Sequence, residues 1–553
     1  MRAAALLALI LTLVISFAAP LSAAYARPAL DTQVDSILAG MSLDERVGQL
    51  FMVSVYGEGL TEVSEPFLRE MKPGAVALFT YNGGTPPAVT QTTNAWQTVA
   101  TQIGAHVPLL VAIDQEGGPV TRLTDGFTPL PWGAALGAMP PDEARQVGQM
   151  AAEELRAVGI NMNLAPVSDV RTNPSNTFME GRTLGSDPQR VGVAVSAYLQ
   201  GLQDRNVIGV LKHFPGHGAA GDSHAILPVV DYSREHVDSV ELAPFRAGIQ
   251  SGAEVVMVGH LVYPALDPTP DLPASLSPVI IGDVLRKQLG FQGVVMTDAM
   301  DMGAIVDHFT QPVAAVMAIR AGIDLIATGP HTPMPDQLAM KRAILDAVKR
   351  GDLSEARIEE SVRRILMLKA KHGLLDWSPL DPATAGQRVG VLAHQEIVGR
   401  IYLDTVAIVQ DGGRRLPLIP GAQKVALIYP GVFPSVRREC EALDQPFVAY
   451  AYTLHPNPEE LESVRNIARE ADVVLLFTYN IAEYPGQAMM VNGVPPAKAV
   501  VIALQSPYDL EQGIRPAAYV TAFNATPAAF RAACAVLYGQ HPAVGRWRAN
   551  GES

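Results

Sequence analysis

The sequence predicts an α/β fold: a (β/α)8 TIM-like barrel followed by a smaller αβα sandwich domain. Three observations carry this reading. Eight short apolar runs rich in Val and Ile recur between residues 49 and 328 without polar alternation, as strands covered on both faces should. Segments of helical spacing lie between them; Val147, Met150, Ala151, Glu154 and Leu155, for example, lead to Gly159 as a stop. A second, shorter α/β series follows a break marked by Gly373, Pro379 and Pro382. The competing architecture is a doubly wound sheet. Eight units in one series, with polar residues repeatedly at the ends of the runs, suit a closed barrel better.

In chain order, Met1-Arg2, an apolar run from Ala3 to Ala19 and the small residues ending Ala24-Tyr25-Ala26 read as a cleavable signal peptide over 1–26. An uncleaved N-terminal membrane anchor is the alternative. The expected barrel strands are 49–55, 75–79, 109–114, 160–165, 207–213, 255–260, 294–298 and 323–328. Helices over about 336–349 and 355–372 close the first domain, 27–375. A connector, 376–400, leads to the second domain, 401–553. Its strands fall near 425–429, 472–478, 500–504 and 519–523, which suggests a small open parallel sheet. No phosphate-cradling glycine motif sits at their ends, and the loop 481–486 reads as ordinary surface. Cys440 and Cys534 are the two cysteines; spacing alone leaves a disulfide and two free thiols equally open.

Composition bounds the function. At 553 residues with 48% hydrophobic and 17% charged, the chain has material for a large core and more than one domain. A net charge of −14 without any Lys/Arg run argues against nucleic acid as a partner. The chemistry concentrates at the ends of the apolar runs. There lie Asp114-Gln115-Glu116-Gly117-Gly118, then Asp169 with Glu180-Gly181-Arg182, then Lys212-His213-Phe214-Pro215-Gly216-His217-Gly218 with Asp222-Ser223-His224, then His260 and Asp298. In a barrel these ends open onto one face. Asp169 also reads as a turn or cap residue, His260 as a wall histidine, and Gly117-Gly118 as a tight turn.

The His-rich stretch has two chemical readings. One is a metal site on His213, His217, Asp222, His224 and His260. Pro215-Gly216 between the first two histidines, however, denies them the helix that an i, i+4 zinc pair needs. The other is acid–base work. Asp222 orients His224 two residues on and favours its charged form, while Asp298 at a strand end is ionised near neutral pH. A fixed carboxylate and a proton donor on a loop are the two parts that retaining glycoside hydrolysis requires. Asp114, Arg182, Lys212 and His213 then offer charged hydrogen-bonding groups to sugar hydroxyls.

These motifs, with Val295-Met296-Thr297-Asp298-Ala299-Met300, resemble glycoside hydrolase family 3 over roughly residues 31–375, and most of all its β-N-acetylglucosaminidase branch, which carries an Asp-x-His dyad. The resemblance implies Asp298 as nucleophile, His224 as general acid/base, Asp222 as its partner, and Asp114, Arg182, Lys212 and His213 as ligands of a terminal GlcNAc, with no metal and no cofactor. It implies an exported exo-enzyme acting on peptidoglycan or chitin-type fragments. The chain departs from the family at Pro119, where Arg is common, and at Ala299, where an acidic residue is frequent. Phosphorolysis and β-glucosidase activity are the alternatives within the family, and a non-catalytic cell-wall sugar-binding protein is the alternative outside it. Oligomeric state is left open. In this reading Lys212 and His213 belong to a rigid rim, Asp222 and His224 ride a segment that Gly218 and Gly221 free to move, and His217 shapes the loop.

Overall fold

The computed structural model describes residues 30–412, 414–442, 446–545 and 547; the expected signal peptide lies outside them. Eight parallel strands form the first sheet: β1 (Phe51–Ser54), β2 (Ala75–Leu78), β3 (Leu110–Ile113), β6 (Met162–Asn163), β7 (Ile208–Phe214), β8 (Val255–Val258), β9 (Val294–Thr297) and β10 (Ile326–Ala327). Between β3 and β6 the chain adds a small antiparallel hairpin, β4 (Gln115–Gly117) with β5 (Val120–Thr121). The order is β10-β1-β2-β3-β6-β7-β8-β9, and a bridge between Met296 and Leu325 brings β9 back to the β10 segment. The sheet thus nearly closes into the expected barrel. The strands are buried along their length, which explains why they read as continuous apolar runs rather than alternating ones.

β6 and β10 are the strands cut back most from the expected bounds, and polar side chains bond to the backbone beside both. Beside β6, the Asn161 side chain accepts from Val111 N–H at 2.9 Å and donates to Leu109 O at 3.2 Å; Asn163 does the same for Gln115 at 3.1 and 3.0 Å. Beside β10, buried Asp324 accepts from Val295 N–H at 3.0 Å and from Arg286 at 2.6 Å. A buried carboxylate so supplied satisfies the backbone without lengthening the ladder.

The second domain is larger in its sheet than expected. Six strands, β11 (Ala407–Asp411), β12 (Val425–Pro430), β13 (Phe447–Tyr452), β14 (Val473–Thr478), β15 (Ala499–Ala503) and β16 (Ala518–Thr521), run in the order β11-β16-β15-β14-β12-β13, with β11 antiparallel. The two strands beyond those anticipated, β11 and β13, are the edges. Their partly exposed, mixed sequences lack the apolar run that marks a central strand. The segment 376–400 carries helix Pro382–Ala385 and the first part of helix Leu392–Thr405, which continues into the second domain.

Alternate residues of this sheet enter different cores. Leu427, Leu475, Phe477, Val500 and Ile502 join one continuous apolar cluster with the barrel. Ala426, Ile428, Leu476 and Val501 form a separate cluster with helices Pro458–Glu470 and Gly486–Asn492. A period-2 split of this kind is what a sheet covered on both faces produces. A disulfide joins Cys440 and Cys534, whose Cα atoms are 5.5 Å apart. No helix among the described residues is long and apolar enough to cross a membrane.

Candidate active site

A pocket of about 250 Å³ opens at the C-terminal ends of the barrel strands, and Asp114, Arg182, Lys212, His213, His224 and Asp298 all line it. Six of the seven site residues predicted from sequence therefore share one cavity wall. The seventh, Asp222, stands directly behind His224.

The floor is a buried quartet of charges. Lys212 Nζ donates to Asp114 Oδ1 at 2.6 Å and lies 2.6 Å from Glu116 Oε1. Arg182 grips Glu116 with two bonds, Nε to Oε2 at 3.0 Å and Nη2 to Oε1 at 2.9 Å. Two carboxylates and two cations cancel, which is the condition under which such groups tolerate burial. Burial pushes the Glu116 carboxyl up, but Arg182 and Lys212 outweigh it and hold the group well below the usual carboxylate range. Burial likewise pushes Lys212 down, and Asp114 and Glu116 reverse it. Asp114 is the member left partly open, at 18% side-chain exposure against 2% for Lys212, so it presents the acceptor while Lys212 braces it. Glu116 stands inside the Asp114–Gly118 motif with no role predicted for it from sequence. The signal was there: residues two apart on an extended strand point to the same side, so Asp114 and Glu116 form a paired-carboxylate motif.

The hairpin positions this pair. Gly117 and Gly118 have positive φ, 89° and 62°; Gly118 opens the two-residue loop Gly118-Pro119 between paired Gly117 and Val120, a turn position that favours glycine. A Cβ on Gly118 would meet the Trp132 ring at 2.6 Å, so the turn packs flat on that indole.

Asp169 proves to be an anchor rather than a cap. Fully buried, its Oδ1 accepts from the backbone N–H groups of His213 at 3.1 Å and His217 at 2.7 Å, and its Oδ2 lies 2.8 Å from His213 Nδ1. A carboxylate oxygen only accepts, so the His213 proton sits on Nδ1 and Nε2 is left for the pocket. His217 Nε2 pairs with Ser223 Oγ at 2.9 Å, and burial, with His213 nearby, lowers its imidazole to about 4. His217 is neutral around pH 7 and braces the loop.

The loop beyond β7 is held more firmly than its glycines suggest. A Cβ at Gly218 would lie 1.5 Å from Val170 O; this glycine permits a close backbone approach and is not a hinge. Gly303 N–H donates to His224 O at 3.0 Å and Ala304 N–H to Ser223 O at 3.2 Å, which fastens the far end of the loop to the segment after β9. At the pocket rim, His224 is 60% exposed, and its Nδ1 lies 2.8 Å from Asp222 Oδ1, which also accepts the His224 backbone N–H at 2.9 Å. That arrangement puts a proton on Nδ1 of a ring that lines the pocket. Phe178 packs edge-on against His224, ring centres 5.3 Å apart.

Asp298 follows β9. Its backbone N–H donates to Val258 O at 2.9 Å and its Oδ1 accepts from Ala299 N–H at 2.8 Å. Burial raises the carboxyl, but the His213 and His260 imidazoles, that N–H and Lys212 outweigh it, so Asp298 stays below its ordinary value and is ionised at neutral pH. His260 is wholly buried. Burial pushes its imidazole down, and Nε2 lies 3.0 Å from Ala299 O while Nδ1 lies 2.7 Å from Ser275 Oγ. The carbonyl fixes Nε2–H as donor and leaves Nδ1 to accept the serine hydroxyl. His260 thus supports the peptide that carries Asp298.

The arrangement offers an anionic oxygen on a rigid strand end, an imidazole at the rim, and a charge-balanced floor suited to a neutral polar ligand. Residues 42–368 match the family model described as "Glycosyl hydrolase family 3 N terminal domain". Beta-hexosaminidase A of Pseudoalteromonas piscicida is 33% identical over 410 residues, 70% of this chain and 67% of its own. A beta-hexosaminidase of Nitrosomonas eutropha is 32% identical over 326 residues, 57% of this chain and 91% of its own. The solved structure of a glycoside hydrolase family 3 beta-N-acetylglucosaminidase from Paenibacillus sp. str. FPU-7 superposes with a TM-score of 0.84 at 32% identity, covering 92% of this chain and 98% of that one. The family model spans more than half of the chain and the solved structure aligns along 92% of it, so the chain belongs to glycoside hydrolase family 3.

Proposed function

We propose that this protein is an exported, retaining exo-β-N-acetylglucosaminidase that removes terminal β-linked GlcNAc from peptidoglycan or chitin-type fragments. One observation carries the reading: an ionised Asp298 on the wall and the Asp222–His224 pair at the rim address the same small pocket. Its similarity to beta-hexosaminidases and to a beta-N-acetylglucosaminidase of known structure supports the same activity. The pocket, about 250 Å³, falls below the ~300–1,000 Å³ of sites for larger ligands, which suits one terminal sugar rather than a chain.

In the first step an Asp298 oxygen attacks the anomeric carbon while the His224 imidazolium gives its Nε2 proton to the departing glycosidic oxygen. Asp222 holds the other ring proton and stabilises the charged ring. In the second step the neutral imidazole takes a proton from water, whose oxygen displaces the Asp298 carboxylate and releases the sugar with its β configuration restored. Asp114, Arg182, Lys212 and His213 hold the glycone. For export, the N-terminal apolar run and the disulfide, a bond typical of oxidising compartments, are the supports.

A panel of 4-nitrophenyl β-glycosides tests the activity: cleavage of the GlcNAc member and not of the glucoside or xyloside is expected, and glucoside preference sinks the reading. Asp298→Ala should lose about 10³-fold or more of kcat. His224→Ala should lose about 10²–10⁴-fold on oligosaccharides and far less on the activated aryl substrate. Equal losses on both would remove His224 from the donor role. Free GlcNAc as sole product in phosphate buffer is expected; a sugar phosphate would make the enzyme a phosphorylase.

A further inference from the structure

Residues 171–187, between β6 and helix Pro188–Asp204, contain no helix or strand, yet they carry Arg182 and Phe178 into the pocket. An irregular segment keeps one shape only if other parts of the molecule fix it. The second domain does so. After β15, Ser506 Oγ forms a short hydrogen bond with Glu180 Oε1, two residues before Arg182. Glu511 receives Arg171 through Oε2 at 3.1 Å and Oε1 at 3.4 Å, and the Tyr508 ring lies under the same guanidinium, 3.3 Å from Cζ to its centre. Gly181, at φ +78°, is enclosed between the Trp132 ring and the Gln505 side chain, 3.0 and 3.8 Å from where its Cβ would be. Glu180, Ser506 and Tyr508 are buried.

From this clamp the contacts run straight into the pocket. Arg182 holds Glu116, and its guanidinium lies 4.8 Å from the centre of the Phe178 ring, whose edge meets His224. We infer that the second-domain segment 505–511, through Ser506 and Glu511, positions Arg182 and thereby sets how tightly the enzyme holds its glycone. Both are positioning residues, since neither lines the pocket. The assignment rests on the glycone role proposed above for Arg182.

Ser506→Ala and Glu511→Ala, made in the full chain, test it together with Glu511→Gln, which retains an acceptor for Arg171. Each Ala variant should raise KM for 4-nitrophenyl β-GlcNAc about 5-fold, the worth of one buried hydrogen bond, with kcat per active site changed less than about twofold, and Glu511→Gln should restore the parent KM. A merely structural contact would lower Tm and the folded fraction while KM per active site stayed at the parent value in both Ala variants, and that result overturns the inference. Hydrogen exchange supplies a readout independent of the substrate. Amides of residues 172–186 should exchange faster in Ser506→Ala than in the parent; unchanged exchange there also overturns the inference. Parent enzyme inactive on GlcNAc substrates, with faster exchange in the variant, would refute the proposed substrate and leave the clamp standing.

Discussion

Glu116 and Asp169 brace the pocket through other residues, the first from its lining and the second from behind His213. Glu116 neutralises two buried cations at once. Replacing it with Gln removes the one carboxylate that contacts both Lys212 and Arg182, an imbalance of buried charge that costs about 3–5 kcal/mol at pH 7. Because its folded-state carboxyl is depressed, the stabilisation it contributes is fully present above the unfolded carboxylate pKa of ~4.3 and is lost as pH falls below that value. Thermal melts across pH should show the parent far above Glu116→Gln at pH 7 and the gap narrowing below about pH 4. A pH-independent gap would mean that Glu116 acts by packing rather than charge. Asp114, Arg182, Lys212, His213, His224 and Asp298 were legible in the sequence because strand ends of a barrel converge, whereas Ser54 and Arg122, which also line the pocket, carry no motif that marks them. Asp169 was not, since its role exists only once the 213–217 loop folds back over it, and a lone Asp in a loop looks the same whether it caps a turn or anchors a neighbour.

The loop from the end of β7 to Val229, where a bridge pairs it with Val262, is an element in its own right, built by close approach rather than by regular hydrogen bonding. Its glycines looked like points of freedom in the sequence, but two of them are contact surfaces: Gly218 lies against Val170 O, and a Cβ on Gly216 would meet Glu241 Oε2 at 2.6 Å. Gly218→Ala should therefore displace the Asp169 anchor and cost about 1–3 kcal/mol, with activity falling at least tenfold. Gly221→Ala, whose new methyl would sit an ordinary 3.5 Å from Ile226 Cδ1, should leave both melting temperature and kcat/KM near the parent values. Similar losses in both variants would restore the view of a flexible hinge. The barrel strands themselves were readable because burial on both faces leaves an unmistakable apolar run. The edge strands β11 and β13 escaped because an edge is half wet, and its sequence resembles a loop.

At the scale of the whole molecule, the two domains are fused rather than tethered. One apolar cluster runs from the barrel into one face of the six-stranded sheet, and the segment after β15 reaches the pocket's Arg182 loop. The disulfide closes a sequence separation of 94 residues within the second domain, a loop length for which a crosslink contributes about 4–5 kcal/mol through the unfolded chain. The double variant Cys440→Ser, Cys534→Ser should melt several degrees lower, and the loss should appear in barrel activity and second-sheet unfolding together. Two separate transitions, with activity surviving the first, would show that the cores are independent. Sequence revealed the second α/β unit but not this fusion, because contacts between Ser506 and Glu180 or Tyr508 and Arg171 join residues with no pattern in common.

The bond from Gly303 to the carbonyl of His224 has a further consequence. The two groups that must meet across the scissile bond are separated along the chain by two successive helix–strand passages, yet in space the route between them is five residues of backbone and one hydrogen bond. Their spacing is therefore measured locally, like the jaws of a caliper riveted by the Gly303 and Ala304 bonds. A side chain at 303 would strike the His224 carbonyl at 2.7 Å, so the absence of one at Gly303 is what lets the caliper close.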